Sequence, residues 1–494
     1  YNLIHEKWIP VIIGDKEVKV SLIEAFTDIN IKRISGKPTE KIAIFKFLTA
    51  IAQAAYTPKD FKAWQEIGNN PSNLSEKVLK YLNKWEDRFY LYGEYPFLQM
   101  KSIIKADVKT FGEISPEVAT GNTPFFNQTQ KERDLDESEK ALFILTQQSF
   151  ALGGKKADNS VVLTEGYTGK SNKSGNESTS KYASSLGLYG YLHSFIEGDN
   201  LIKTILVNLM THEEINEIKV FSGGLGIPAW EQMPVGEDCD RAKQLTQTIL
   251  GRLVPISRFL ILSEDKKGLH YSEGLPYKDH RDGFNDLTTT IDYSTAKAKP
   301  VWVDTSEKPW RLITSLLAFL KINEKTKLTN IALRLAIKKI EILENITLYS
   351  GGLAVSSNMS EQYCSQTDDY LESSVVINKS ILEENYFEQL KLELKEMEKM
   401  SNLLKMSIER YDKALGIHES KKTSRASNIF WELCENIFTD TVKNINIPEI
   451  LSYNRKRTTN LVVNVFNNFC PNNTSRQMNA WVLTKPNFKK GNNL

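Results

Sequence analysis

The sequence predicts an α+β protein in which a large mixed α/β N-terminal domain, residues 1–372, precedes a C-terminal four-helix bundle, residues 373–494. Three observations carry this. At 494 residues the chain exceeds one ordinary hydrophobic core, so two or more domains are expected. Up to about Asp369, strand-like and helical runs mix irregularly. From Tyr386 onward, apolar residues recur three and four apart, with turn signals between the runs.

Residues 1–30 read as short strands: Trp8-Ile9-Pro10-Val11-Ile12-Ile13, a turn at Gly14-Asp15, then Val18-Lys19-Val20. Pro10 favours an edge strand, because proline has no N–H to give a sheet ladder. From about Lys41 the pattern turns helical, with Ile42, Ile44, Phe45, Phe47, Leu48, Ile51 and Ala52 on one broad face. Trp85, Phe89, Tyr90, Tyr92, Tyr95, Pro96 and Phe97 form an aromatic segment expected in the core. The tract 166–185 is rich in Ser, Gly, Asn and Lys, lacks apolar periodicity, and reads as a mobile surface loop.

The C-terminal pattern is helical. Phe387, Leu390, Leu394, Met397, Leu404, Ile408, Tyr411 and Leu415 mark one long helix, with a capping box at Ser380-x-x-Glu383 and a stop at Gly416. A second helix runs from about Ser424 to Lys443 with Phe430, Leu433, Ile437 and Phe438 inward. Pro448 starts a third, carrying Leu461, Val462 and Val465, and Asn473-Thr474 a short fourth.

Composition bounds the function. A net charge of +2 excludes a strongly basic, histone-like binder but leaves room for local cationic patches. One such patch is the tail: after Glu449 no acidic side chain follows, while Arg455, Lys456, Arg457, Arg476, Lys485, Lys489 and Lys490 do. That pattern fits a solvated tail and a phosphate-facing surface equally well. Cys239, Cys364, Cys434 and Cys470 are scattered with no CxxC pair, which argues against a disulfide framework and a cysteine zinc site. With no run of about 18 apolar residues and no signal peptide at Tyr1–Lys7, the expected location is cytoplasmic, without a membrane partner.

Signatures of the commoner enzymes are missing. None of the six histidines forms HExxH or an HD pair. His280-Arg281-Asp282 imitates a kinase triplet without its accompanying motifs. There is no GxxxxGK[ST] loop, and Gly223-Gly224-Leu225-Gly226 leads into Ile227-Pro228 rather than a helix. Gly187-Leu188-Tyr189-Gly190 reads as a turn. No cofactor and no metal are expected.

Two segments instead suggest nucleic-acid contact. Thr123-Pro124-Phe125-Phe126-Asn127-Gln128 sets two bulky apolar side chains beside an amide pair. Leu152-Gly153-Gly154-Lys155-Lys156 lets backbone approach a ligand closely and adds two cations.

Landmarks in order then resemble the CasA family, the large subunit of the type I-E CRISPR surveillance complex (Cascade). They are Asn2-Leu3-Ile4-His5-Glu6-Lys7-Trp8-Ile9-Pro10-Val11, Trp85 through Gln99, Phe125–Gln128, Ala141-Leu142-Phe143 to Gly153-Gly154, Pro228-Ala229-Trp230, Lys308-Pro309-Trp310, Gly351-Gly352 and Phe430-Trp431-Glu432-Leu433. The resemblance spans essentially the whole chain.

It implies a non-catalytic protein that recognises the protospacer-adjacent motif on double-stranded target DNA and helps open the duplex for guide-RNA pairing. Its implied partners are that DNA, the 5′ handle of the CRISPR guide RNA, the other Cascade subunits and a recruited helicase–nuclease. By position, Phe125, Phe126, Asn127 and Gln128 would anchor the subunit at the guide-RNA handle, and Gly153 and Gly154 would approach the motif from the minor groove, where sequences are poorly distinguished. The family's basic minor-groove residue has no clear lysine counterpart; Lys278, Arg281 and Asn285 all stand in its neighbourhood. The strand-separating wedge falls at Asn358-Met359, with methionine where the family usually carries glutamine, and apolar wedges between base steps are well attested. Lys155, Lys156, Arg455, Lys456 and Arg457 are candidate phosphate contacts. Some relatives carry a four-cysteine zinc site, and none of those positions is cysteine here. Two other readings stay open: a metal-dependent nuclease with a dispersed site, and the large subunit of another CRISPR effector type.

Overall fold

Helix Pro38–Ala55 starts where proline costs nothing, in the first turn, and Glu40 reaches back to the Lys37 N–H at 2.9 Å. The expectation of one apolar face is corrected: every side chain from Ile42 to Gln53 is buried. The reason is that other elements surround it. Helices Glu137–Phe150, Ser72–Lys84, Leu201–Asn208 and Ile249–Leu253 and strand Ile346–Leu353 all pack on it. Phe45 stacks on Phe195 with ring centroids 3.7 Å apart, and Phe47 meets Trp8, Phe97 and Trp230 at 5.3–5.9 Å.

The computed structural model describes residues 1–116, 134–154, 157–167, 169–179, 185–282, 286–294, 296–317, 328–358, 361–365, 367–418 and 421–488. The chain mixes helix and strand and divides into two units: Tyr1–Thr305 with Lys325–Ser373, and Ser306–Glu324 with Ser374–Leu494.

In the first unit, strand Ile9–Ile13 lies between Lys16–Val20 and Ile31–Ile34. Pro10 therefore sits in a central strand, not at an edge. It is tolerated near the strand's start, where its carbonyl accepts the Ser35 N–H at 2.9 Å and the ladder to Ile31–Ile34 shifts register just beyond, at Ile12/Ile13. A second sheet orders Val108–Thr110, Gly268–Glu273 and Arg258–Leu262, and strand Ile346–Leu353 pairs antiparallel with His193–Glu197. The aromatic segment splits: Phe89 and Phe97 are fully buried, while Tyr90 and Tyr95 are exposed. The tract read as a loop contains a small hairpin, Lys170–Ser171 with Glu177–Ser178. Asn172 builds it by accepting the N–H groups of Ser174 at 2.9 Å and Asn176 at 3.0 Å.

The second unit holds helices Glu384–Ala414, Lys422–Lys443, Pro448–Phe469 and Ser475–Thr484, the first packing against the other three. Gly416, at φ +77, ends the first as a Schellman motif, with Ile417 N–H on Asp412 C=O at 2.9 Å and Gly416 N–H on Lys413 C=O at 3.0 Å. The expected capping box at Ser380 is not formed. Ser380 and Glu383 instead close a separate 3-10 turn, Lys379–Leu382, capped by Asn378, and the long helix begins without a side-chain cap. Leu433 points outward, because Cys434 takes the inward position between Phe430 and Ile437. Trp310 explains why residues 306–324 belong with these helices: it is buried, stacked on Phe438 at 4.3 Å and edge-on to Trp431 at 5.8 Å.

Candidate nucleic-acid interface

The turn Leu186–Tyr191 organises the surface around it. Two of its glycines take left-handed backbone, Gly187 at φ +75 and Gly190 at φ +92. A Cβ on Gly190 would lie 1.8 Å from the Leu353 carbonyl oxygen, so no other residue fits. Every carbonyl from Gly187 to Gly190 is taken. Gln362 Nε2 donates to Gly187 and, at 3.1 Å, to Leu188; Val355 N–H donates to Tyr189 at 3.1 Å; Val303 N–H donates to Gly190 at 2.8 Å.

Gln362 also reaches the glycine turn after helix Glu137–Phe150. Its Oε1 accepts the Gly153 N–H at 2.7 Å and its own N–H donates to the Gly153 carbonyl at 3.0 Å. Arg258, in a buried ion pair with Glu273 at 3.1 Å, fixes the same turn by donating to Leu152 C=O at 2.7 Å. Gly153 is thus buried with both backbone groups committed, while Gly154, at φ +67, is half-buried. Gln362 lies in the hairpin Ser356–Asn358 with Glu361–Tyr363, opposite Ser357, and Asn358 stands exposed at its end.

The segment Lys278–Asp282 joins through aromatic contacts. Tyr191 stacks on Trp302 at 5.1 Å, Tyr189 meets Trp302 edge-on at 5.7 Å, and His280 lies 6.1 Å from Trp302 and 6.5 Å from Tyr191. Lys278 is exposed, and its carbonyl accepts from Arg252 at 2.8 Å. Arg281, also exposed, is paired with Asp279 at 2.6 Å. Below them Asp286 pairs with Lys46 of the central helix and holds Thr288 N–H at 3.1 Å. Burial alone would raise the Asp286 pKa, but Lys46 and His193 beside it hold the carboxyl down at about 2.

Three separately chosen segments, Gly153–Gly154, Lys278–Arg281 and Asn358, therefore converge on one turn in the first unit. Phe125, Phe126, Asn127, Gln128, Lys155, Lys156, Asn285 and Met359 lie outside the described residues. In the second unit, Arg455 is committed to Glu393 through two bonds, at 2.5 and 3.0 Å, and that carboxylate is only 4% exposed. Arg457 donates to Asn454 at 3.0 Å and sits 3.7 Å from Asp440, while Lys456 is exposed. Sequence reasoning missed Gln362, Trp302 and the Lys46–Asp286 pair. Two large apolar side chains between the glycines of Gly187–Gly190 were the one local hint. Among the described residues, no group of three or more His, Cys, Asp or Glu side chains could hold a metal ion, and no helix is long and apolar enough to cross a membrane. What these segments bring together is exposed basic side chains, aromatic rings and a fixed turn.

The fold and this surface define a two-unit, helix-and-strand protein of a known architecture. It resembles the crystal structure of Thermobifida fusca Cse1 with a TM-score of 0.75 at 18% identity, covering 98% of this chain and 95% of that one. The crystal structure of Thermus thermophilus CasA gives 0.72 at 19% identity, covering 98% and 97%. A chain of a CRISPR RNA-guided surveillance complex gives 0.68 at 12% identity, covering 98% of each. The family model for the CRISPR-associated protein Cse1 matches residues 2–462, and the chain belongs to that family, as its ordered motifs suggested. In sequence, the curated Thermus thermophilus CasA/Cse1 is 32% identical over 164 residues, a stretch that spans 31% of this chain and 32% of that relative.

Proposed function

We propose that this chain is the non-catalytic large subunit of a type I-E CRISPR surveillance complex, with a mixed domain within residues 1–372, apart from the segment 306–324 that groups with the C-terminal helices, and a four-helix bundle within 373–494. In this reading it recognises the protospacer-adjacent motif on duplex DNA, helps open the strands for guide-RNA pairing, contacts the guide's 5′ handle beside the other subunits, and docks the helicase–nuclease. Guide pairing then reads the long sequence, while protein reads the short motif and the duplex shape.

The observation that carries the reading is Gln362, which ties the Gly153 turn to the hairpin bearing Asn358. A minor-groove approach at the half-buried Gly154 and a strand-parting element at Asn358 need a fixed spacing from each other, and a buried side chain joining their two segments supports that reading. Lys278 adds an exposed cation to the same neighbourhood, and Arg281 adds an exposed guanidinium paired with Asp279.

The test is a motif library of duplexes, titrated against the reconstituted complex with and without this chain. Motif-dependent binding only in its presence is expected; identical motif preference in its absence would sink the reading. Incubating the isolated chain with labelled DNA and Mg²⁺ or Mn²⁺ should leave the DNA intact, and cleavage would favour a nuclease.

A further inference from the structure

We propose that Leu188 and Tyr189 form a further DNA contact, an apolar pair that packs against the base step exposed as the duplex beside the motif parts. This rests on the reading above and adds a contact to it.

Both side chains are large, apolar and about half exposed, at 49% and 46%. Single exposed apolar residues are common on protein surfaces. These two differ in how they are held. They form the middle of a turn whose flanking glycines are both left-handed and whose carbonyls, from Gly187 to Gly190, all have partners on other segments. A mobile loop would let such side chains fold down onto the surface; this backbone gives them no such freedom. The Tyr189 ring is further set edge-on against Trp302 at 5.7 Å.

The neighbours name the occupant. The carbonyls of Gly187 and Leu188 are bound by the same Gln362 amide group that holds the Gly153 turn and lies in the Asn358 hairpin. On the other side, Trp302 connects Tyr189 to His280, within the segment Lys278–Arg281, where Lys278 is exposed and Arg281 is paired with Asp279. An exposed aromatic between a tight glycine turn, the exposed Asn358 and the exposed Lys278 suits a polyanion with stacked bases. Apolar side chains inserted at a base step partly unstack it, and aromatic rings then stack on the freed base whatever its identity.

The experiment uses the full chain assembled in its complex and two duplexes carrying the same motif, one fully paired and one with a mismatched bubble beside the motif. The double variant Leu188→Ala/Tyr189→Ala should bind the paired duplex about tenfold more weakly and the bubble duplex within about twofold of wild type. Tyr189→Phe and Tyr189→Trp, which keep a ring, should bind both like wild type. Unchanged affinity for the paired duplex would overturn the proposal, as would an equal loss on both duplexes. So would failure of the double variant to assemble, which would point to a protein partner, or a melting temperature lowered in Tyr189→Trp as much as in the double variant. If the wild-type complex itself ignores the motif, the underlying reading has failed instead, so the two failures are distinguishable.

Discussion

Gln362 and Gly153 exchange two hydrogen bonds across 209 residues of sequence, Gly153 N–H to Gln362 Oε1 at 2.7 Å and Gln362 N–H to Gly153 C=O at 3.0 Å. The pairing is strand-like on one side and side-chain-mediated on the other. It leaves the Gln362 side-chain NH2 to grip the turn at Gly187–Leu188. One buried side chain thereby sets the spacing of three surface segments.

Replacing Gln362 with leucine keeps the volume and removes the polar head. The Gly153 N–H and the Gly187 carbonyl then lose their partner in a dry site, which costs about 2–4 kcal/mol in all. Urea unfolding of the full chain should show the loss. Gln362→Glu still accepts from Gly153 but cannot donate to the two carbonyls, and it buries a charge. Its folded-state pKa is raised, so its stability should be best at low pH and fall as pH rises. A Gln362→Glu protein as stable as wild type at pH 8 would contradict the arrangement.

How far the sequence reveals this depends on range. Pro448 at the first position of its helix and Gly416 at a helix end are local signals, and local chemistry makes them readable. Leu433 shows the limit: periodicity alone does not say whether Leu433 or Cys434 faces inward, since both fit a three-or-four spacing from Phe430. Pro10 shows it again, because a central strand tolerates proline where the ladder is already shifting. The candidate surface was legible as three isolated segments. Their union was not, because it rests on Gln362 with Gly153 and on Lys46 with Asp286, pairs separated by 209 and 240 residues that carry no pattern in sequence.

The Lys46–Asp286 pair should behave as an anchor for the segment Lys278–Asp282. Lys46→Met strands a carboxylate that also orients Thr288 by accepting from its N–H and its hydroxyl, and breaking a buried pair this way costs on the order of 3 kcal/mol. The folded pKa of Asp286 lies below its unfolded value, so its contribution is present above pH 3.8 and is lost as pH falls through about 2. Lys46→Met should remove that contribution at neutral pH, and adding Asp286→Asn should restore part of it. A double variant no more stable than Lys46→Met alone would contradict the pairing.

Arg455 should act on stability before it acts on DNA. Its guanidinium satisfies Glu393, whose side chain is 4% exposed, while the arginine itself is half in solvent. Discounted for that exposure, Arg455→Ala should cost about 1–3 kcal/mol, and Arg455→Glu more. Lys456→Ala, at an exposed position one residue on, should leave the melting temperature unchanged. If Arg455→Ala weakens DNA binding without lowering the melting temperature, the arginine is a phosphate contact after all.

Strand His193–Glu197 carries two buried titratable groups whose pH effects oppose each other. Burial pushes Glu197 up to about 7 from 4.5, with Arg33 and Lys41 opposing and Glu372 adding to the rise. Its contribution is therefore whole below pH 4.5 and is lost as pH climbs through about 7. Burial pushes His193 down to about 4 from 6.5, with Asp286 opposing and Lys46 assisting. Its contribution is whole above pH 6.5 and is lost as pH falls through about 4. Each shift corresponds to about 3 kcal/mol, so across the shared window the two slopes nearly cancel and wild-type stability should be flat there. Glu197→Gln removes the falling limb and should expose a rise in stability from about pH 4 to 6.5, with a gain of about 3 kcal/mol over wild type at pH 8. Denaturant midpoints at half-unit steps would measure both profiles; if the Glu197→Gln curve overlays wild type from pH 4 to 8, the buried carboxyl is not titrating as described.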